Sequence, residues 1–176
     1  PLYYETETLR AVHACWDYDN IDFLRKTLVN DRLTDDLIYE SVKKGTRLYE
    51  AIDETLKGKE LAMPNGLSFK DKDQNVRTRF RIKWWENPQQ QTYSSISVKP
   101  IDILPNEPIS EEFTSTNAYR QNDKPVFFGH YWLIGTPSLF RANICCLDYS
   151  VAKGGELVAY RFDHESELKQ DRLTFV

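Results

Sequence analysis

Three histidines stand in the 176 residues, and two of them share a context. His13 ends the apolar run Ala11-Val12-His13, and His130 ends Phe127-Phe128-Gly129-His130. If both runs are strands, both imidazoles sit at a sheet rim, where loops gather and ligands bind. Neutral imidazole is the commonest side-chain ligand of transition metals, and Gly129 allows backbone or ligand to come close. The plainer reading is a hydrogen-bonded histidine at each place with no ligand, and spacing alone leaves both open. A second cluster is basic. Arg77, Arg79 and Arg81 alternate with Thr78 and Phe80, so a strand there would put the guanidiniums on one face. Guanidinium forks match phosphate oxygens. The same alternation also serves as the solvated, self-protecting face of an edge strand, which is the commoner use. His164, in Asp163-His164-Glu165, belongs to a polar turn and is read as a surface residue.

Several elements must position these groups. Leu2 to Tyr4 and Leu9 to Cys15 read as the arms of a hairpin that turns through Thr6-Glu7-Thr8. Tyr18 to Leu28 carries Ile21, Leu24 and Leu28 on one helical stripe, with Asp17 or Asp19 as the cap. Thr34 caps a second helix running to about Lys44. A third follows Gly45, with Leu48, Ile52, Thr55 and Leu56 on a face and Gly58 as its stop. Pro64-Asn65-Gly66 and the stretch Lys70 to Asn75 are turns, and Arg77 to Lys83 is a strand ended by Trp84-Trp85. Residues 86–122, interrupted by Pro88, Pro100, Pro105 and Pro108, read as irregular, with a short strand near Ile96 to Val98. Pro125 to Phe128, Ala142 to Leu147 and Glu156 to Phe162 read as strands, the last entered through Lys153-Gly154-Gly155.

Composition is that of an ordinary globular chain, with 40% hydrophobic and 28% charged residues. A net charge of −4 supplies no global field toward nucleic acid or an anionic membrane, so neither is expected as a partner. No apolar run is long enough to span a bilayer as a helix. Three cysteines, two of them adjacent at Cys145-Cys146, do not form a disulfide framework and suggest a cytoplasmic location.

Leu9-Arg10-Ala11-Val12-His13-Ala14-Cys15-Trp16-Asp17 resembles a segment of the calcineurin-like metallophosphoesterases. The branch is that of bacterial diadenosine tetraphosphatases and serine/threonine-phosphatase-like enzymes. Val126-Phe127-Phe128-Gly129-His130-Tyr131, then Leu147-Asp148-Tyr149-Ser150, then Gly154-Gly155-Glu156-Leu157-Val158-Ala159-Tyr160-Arg161 resemble that branch's closing pattern in order and spacing. The resemblance covers both ends of the chain and little between Met63 and Asn122. It implies that His13 and His130 are metal ligands on one ion of a divalent pair (manganese, iron or zinc). It also implies a structural Asp148, and a phosphoprotein, dinucleoside polyphosphate or other phosphorylated small molecule as substrate. Where the family has glycine, this chain has Ser150, which puts that turn in question.

The family's earlier Asp-x-His, Gly-Asp-x-x-Asp and Gly-Asn-His segments do not occur in the sequence. Two ions held closely together need bridging carboxylates, and even one catalytic zinc takes about three protein ligands. The expectation is therefore the C-terminal part of a larger phosphoesterase domain, inactive by itself; the start at Pro1-Leu2-Tyr3-Tyr4 suggests the same. Its fold class would be α+β to layered α/β: the later part of a metallophosphoesterase β-sandwich flanked by helices, with a helical insertion after the first strand. Residues 1–176 read as a single domain, with a helical segment at 18–60, an irregular insertion at 61–122 and closing antiparallel strands at 123–176. Open strand edges in such a fragment would favour self-association. Two rivals stand beside this reading. One is a non-catalytic, phosphoesterase-derived module that binds through the arginine strand; the other is an unrelated α+β domain.

Overall fold

The computed structural model describes residues 1–71, 74–110 and 118–176. The chain begins with β1 (Tyr3–Glu5) and β2 (Arg10–Val12) and continues with α1 (Tyr18–Thr27), α2 (Asp35–Ser41) and α3 (Arg47–Lys57). Next come β3 (Glu60–Ala62), β4 (Phe69–Lys70), β5 (Val76–Arg77), β6 (Arg79–Arg81) and the single-turn α4 (Tyr93–Ile96). The last part holds β7 (Val126–Phe128), β8 (Ile144–Cys146), β9 (Asp148–Tyr149), β10 (Glu156–Tyr160) and β11 (Leu173–Phe175). The class is mixed α+β. The chain divides into two compact units, Pro1–Lys57 with Arg120–Val176, and Gly58–Tyr119.

In the first unit a four-stranded sheet has the order β1-β2-β7-β8. The predicted hairpin forms, with Tyr3 opposite Val12 and Glu5 opposite Arg10. The strands of the last segment differ from the all-antiparallel expectation. β7 runs parallel to β2, with Ala11 beside Phe127, and β8 runs parallel to β7. Parallel neighbours need a long crossover, and the three helices and the whole second unit intervene in sequence between β2 and β7. Antiparallel pairing does hold for β9, β10 and β11, which form a separate three-stranded sheet. Phe127 and Cys145 are neighbours on one face of the first sheet and pack into the core that Tyr149, Val158, Leu168 and Leu173 form.

The helices follow their local signals. Asp17 caps α1 by accepting from Asn20 N at 2.8 Å, and Ile21, Leu24 and Leu28 are buried. Thr34 caps α2, none of whose residues is buried. Leu48, Ala51, Ile52 and Thr55 bury one face of α3, and Gly58 stops it in the left-handed region at φ +86°. Asn20 joins α1 to α3, donating to Glu54 at 2.7 Å and accepting from Arg47 at 2.6 Å. Beyond β2, the N–H groups of Ala14 and Cys15 both donate to Thr55 O, which fixes the chain just past His13.

At the other ends of β2 and β7, Arg10 bonds Glu5 at 2.8 Å and Asp123 at 2.7 Å, and Lys124 reaches Glu5 at 3.2 Å. Tyr18 donates to Asp123 at 2.7 Å. Burial works to raise the Asp123 carboxyl, but the bonds from Tyr18 and Arg10 outweigh it and hold the group below its ordinary range. Glu5 is lowered in the same way, its burial overcome by bonds from Arg10 and Lys124. Burial, with the Asp123 carboxylate beside it, pushes the Tyr18 hydroxyl up to about 12.

The second unit has more structure than the irregular insertion expected. β3 pairs antiparallel with β6, and β4 with β5. Leu61, Met63, Phe80, Ile82, Tyr93, Ile96, Leu104 and Ile109 form its core. Thr92 and Ser95 make a reciprocal capping box, so Tyr93–Ile96 turns as a helix up to the start of the strand expected near Ile96 to Val98. What remains of that strand is a single bridge from Ser97 to Ile82.

Two outcomes are expected from this architecture. A Cβ on Gly155 would lie 2.0 Å from Tyr149 O, so Gly155→Ala should cost about 2 kcal/mol by denaturant unfolding. Because the folded pKa values of Asp123 and Glu5 are depressed, their contribution is fully present above the ordinary values of 3.8 and 4.5. It is lost as pH falls below those values and through the folded ones. Stability measured against pH should therefore drop on the acid side, and Asp123→Asn should flatten part of that slope; an unchanged slope would refute the assignment.

Candidate functional site

β2 and β7 lie side by side and parallel, so their C-terminal ends reach the same rim of the sheet. The ladder gains one more rung, in which Gly129 N donates to His13 O at 2.9 Å. The next residues on each strand bring His13 Nε2 and His130 Nδ1 to 3.2 Å, with ring centroids 5.1 Å apart. His13 is exposed and His130 half-buried. The two histidines singled out from sequence therefore meet, although 117 positions separate them. A Cβ on Gly129 would meet Asp148 Cβ at 3.5 Å and His13 O at 3.8 Å, which is ordinary contact. Packing does not force that glycine.

Such a pair can do one of two things. With a proton on one nitrogen, it is a hydrogen bond between imidazoles. With both nitrogens bare, it is a two-point metal anchor. Ligand bonds of about 2.0–2.1 Å from two nitrogens this far apart subtend roughly 100° at a shared ion, which suits tetrahedral or octahedral geometry. The donor pair fits a divalent ion in distance and chemistry. Among the described residues no group of three or more His, Cys, Asp or Glu is placed to hold a metal.

Asp148 governs the loop that carries His130. Its Oδ2 accepts from Trp132 N at 3.1 Å and its Oδ1 from Ser150 N at 3.1 Å, while its carbonyl accepts from Leu133 N at 3.0 Å. His130 and Trp132 are both left-handed, at φ +73° and +49°. Between them Tyr131 is buried, edge-on to Phe128 at 5.7 Å. Ser150, where the resembled pattern has glycine, is itself left-handed at φ +61°. Its hydroxyl donates to Leu133 O at 3.1 Å. The residue here is serine, and the backbone still adopts the shape that glycine favours.

The arginines belong to the second unit and are not on one strand. The run breaks at Thr78, leaving Arg77 on β5 and Arg79 and Arg81 on β6. Arg77 pairs with Asp71 at 2.7 Å, and Arg79 bonds Glu60 O at 2.8 Å with the Glu60 carboxylate at 3.7 Å. Arg81 is half-buried opposite Glu60. His164 is exposed and bonded to Thr8 at 3.1 Å. All three cysteines are buried free thiols, and burial pushes Cys145 and Cys146 up to about 12, far from nucleophilic thiolate. Among the described residues no helix is long and apolar enough to cross a membrane.

Sequence reasoning passed over Trp132 and Lys153. Lys153 Nζ lies 3.6 Å from the Trp132 ring centroid, close to His130 in the chain. The available signal was an aromatic two residues past a rim histidine.

Compared with family models, curated proteins and solved structures, the chain matches none.

Asp148→Ala removes two acceptors that hold the loop and should cost about 1–3 kcal/mol in chemical denaturation. Asp148→Asn keeps one acceptor and should cost less; equal losses would mean that the carboxylate's fork is not what holds the loop.

Proposed function

We propose that this chain is the C-terminal portion of a metal-dependent phosphoesterase, in which His13 and His130 ligate one divalent ion. The observation that carries the reading is the 3.2 Å approach of two imidazole nitrogens at the ends of adjacent parallel strands. The resemblance of the flanking segments marks the same two residues as ligands of a common ion. A shared ion requires the approach; an unrelated pair of rim histidines does not.

When bound, divalent ions in such a centre polarise phosphate oxygens and make water more acidic. The chain's own contribution is positioning. The β2–β7 ladder sets the spacing of the two rings, Thr55 O fixes the chain past His13, and Asp148 fixes the loop past His130. Two imidazoles give an ion only two protein ligands, fewer than the three of a usual catalytic zinc site. In this reading carboxylate-bearing segments beyond these 176 residues complete the centre and bridge a second ion. The substrate is a phosphate ester, and manganese, iron and zinc all suit a mixed imidazole and carboxylate set.

Zinc titration of the chain, followed by the imidazole signals in NMR, tests the reading directly. His13 and His130 should respond together at the same equivalents while His164 does not. His13→Ala should weaken the response of His130 by at least tenfold, since one anchor point is lost. Independent responses of the two rings would sink the shared-ion assignment. The chain alone should not turn over an aryl phosphate with added manganese. Turnover abolished by His13→Ala/His130→Ala would show that these residues complete a catalytic site without further segments.

A further inference from the structure

β1 ends its sheet, whose order is β1-β2-β7-β8, so one of its edges has no neighbouring strand. The pairing fixes which groups that edge shows. Arg10 N turns away from β1 to Pro125 O, and Thr6 N, at the hairpin's turn, donates to Leu9 O. Alternation along the ladder then directs Tyr4 toward Ala11 and turns the N–H and C=O groups of Tyr3 and Glu5 outward. Among the described residues none bonds these groups. A cleft of about 500 Å³ touches Tyr3, Tyr4 and Glu5 in succession. Successive strand residues point to opposite faces, and β2 fills the other edge, so a cleft touching all three runs along the open one.

The far wall of the cleft is a tight turn. Val29 and Arg32 exchange backbone bonds at 3.2 and 3.1 Å across Asn30 and Asp31, both left-handed at φ +52° and +57°. Tyr3 donates its hydroxyl to Asp31 at 2.8 Å, which ties the turn to β1. Outward N–H and C=O groups at strand spacing are matched in full by another extended backbone. We propose that this cleft binds an extended peptide segment of a partner protein as an added strand, with an acidic side chain of that segment on Arg32. The charge follows from the cleft itself. Glu5 is answered by Arg10, Arg25 and Lys124, whereas Arg32 lines the cleft exposed and has no ion-pair partner among the described residues. Tyr4, 57% exposed, offers an aromatic surface to the side chains of the added strand. The site does not involve the histidine pair.

A random dodecapeptide library displayed on phage, panned on the full chain, tests the site. Enriched peptides should share a proline-free run of β-branched residues that includes Asp or Glu. Such a sequence, added as a synthetic peptide, should slow hydrogen exchange at the Tyr3 and Glu5 amides and leave the already bonded Tyr4 amide unchanged. N-methylation of one alternate set of its amides should abolish binding while the other set is tolerated, because every second residue faces the edge. Arg32→Glu should weaken the peptide roughly tenfold. No enriched sequence, unchanged exchange at Tyr3 and Glu5, or binding that survives both methylations overturns strand addition. Equal affinity for Arg32→Glu overturns the acidic contact. Protection of the same amides that grows with chain concentration, without peptide, assigns the edge to a second copy and overturns the partner segment.

Discussion

Everything at the rim depends on the parallel pairing of β2 with β7. In that register Ala11 sits beside Phe127, and the ladder extends until Gly129 N meets His13 O. A one-residue slip would turn each side chain on the slipped strand to the opposite face of the sheet. It would bury what is now exposed and separate the imidazoles. Short strands of three residues each supply few ladder bonds, so register has to be held by other means.

Two sets of contacts hold it, one at each end of the pair. At the entering end, Arg10 of β2 bonds Asp123, which lies just before β7. Arg10 N also donates to Pro125 O at 2.8 Å. Buried Asn143 donates to the carbonyls of Arg120, Gln121 and Asp123, which ties the approach to β7 to the approach to β8. Such partly buried charges are costly unless fully partnered, and here each charged group has more than one bond. At the leaving end, Thr55 O holds the chain after β2, and Asp148 holds the loop after β7. The charged cluster and the histidine pair are therefore opposite ends of one mechanical element.

Legibility in the sequence followed the range of the physical signal. Asp17, Thr34 and Gly58 act within one helical turn, and each marked a helix end that the structure contains. The first hairpin was equally local. Strand direction was not, because nothing in Val126-Phe127-Phe128 says which neighbour it joins or whether the pair runs parallel. The second unit misled for another reason. Its prolines and polar residues looked irregular, yet Leu61, Phe80, Ile82, Ile96 and Leu104, spread thinly along the chain, gather into a core. The basic run around Arg79 shows the reverse error, since a break at Thr78 too small to leave a sequence signal divides it between two pairs of strands. His13 and His130 were picked out through resemblance; their meeting is a long-range fact that spacing alone could not supply.

The left-handed backbone on the far side of His130 shows where the fold spends conformational energy. Outside glycine, each such residue costs of order 1–2 kcal/mol, and His130, Trp132 and Ser150 all lie in one small region. Asparagine in a tight turn, as at Asn65, carries a similar φ at low cost, because asparagine tolerates the left-handed region. Tryptophan has no such device. The region persists because surrounding contacts over-determine it: Tyr131 is locked in the core, and the Asp148 fork and carbonyl take three N–H groups from two chain segments. A relaxed loop would let Tyr131 stay buried only by moving its neighbours, and with them the ring that stands 3.2 Å from His13. Three of the non-glycine residues at positive φ thus lie on the segments whose contacts decide where the His130 imidazole stands.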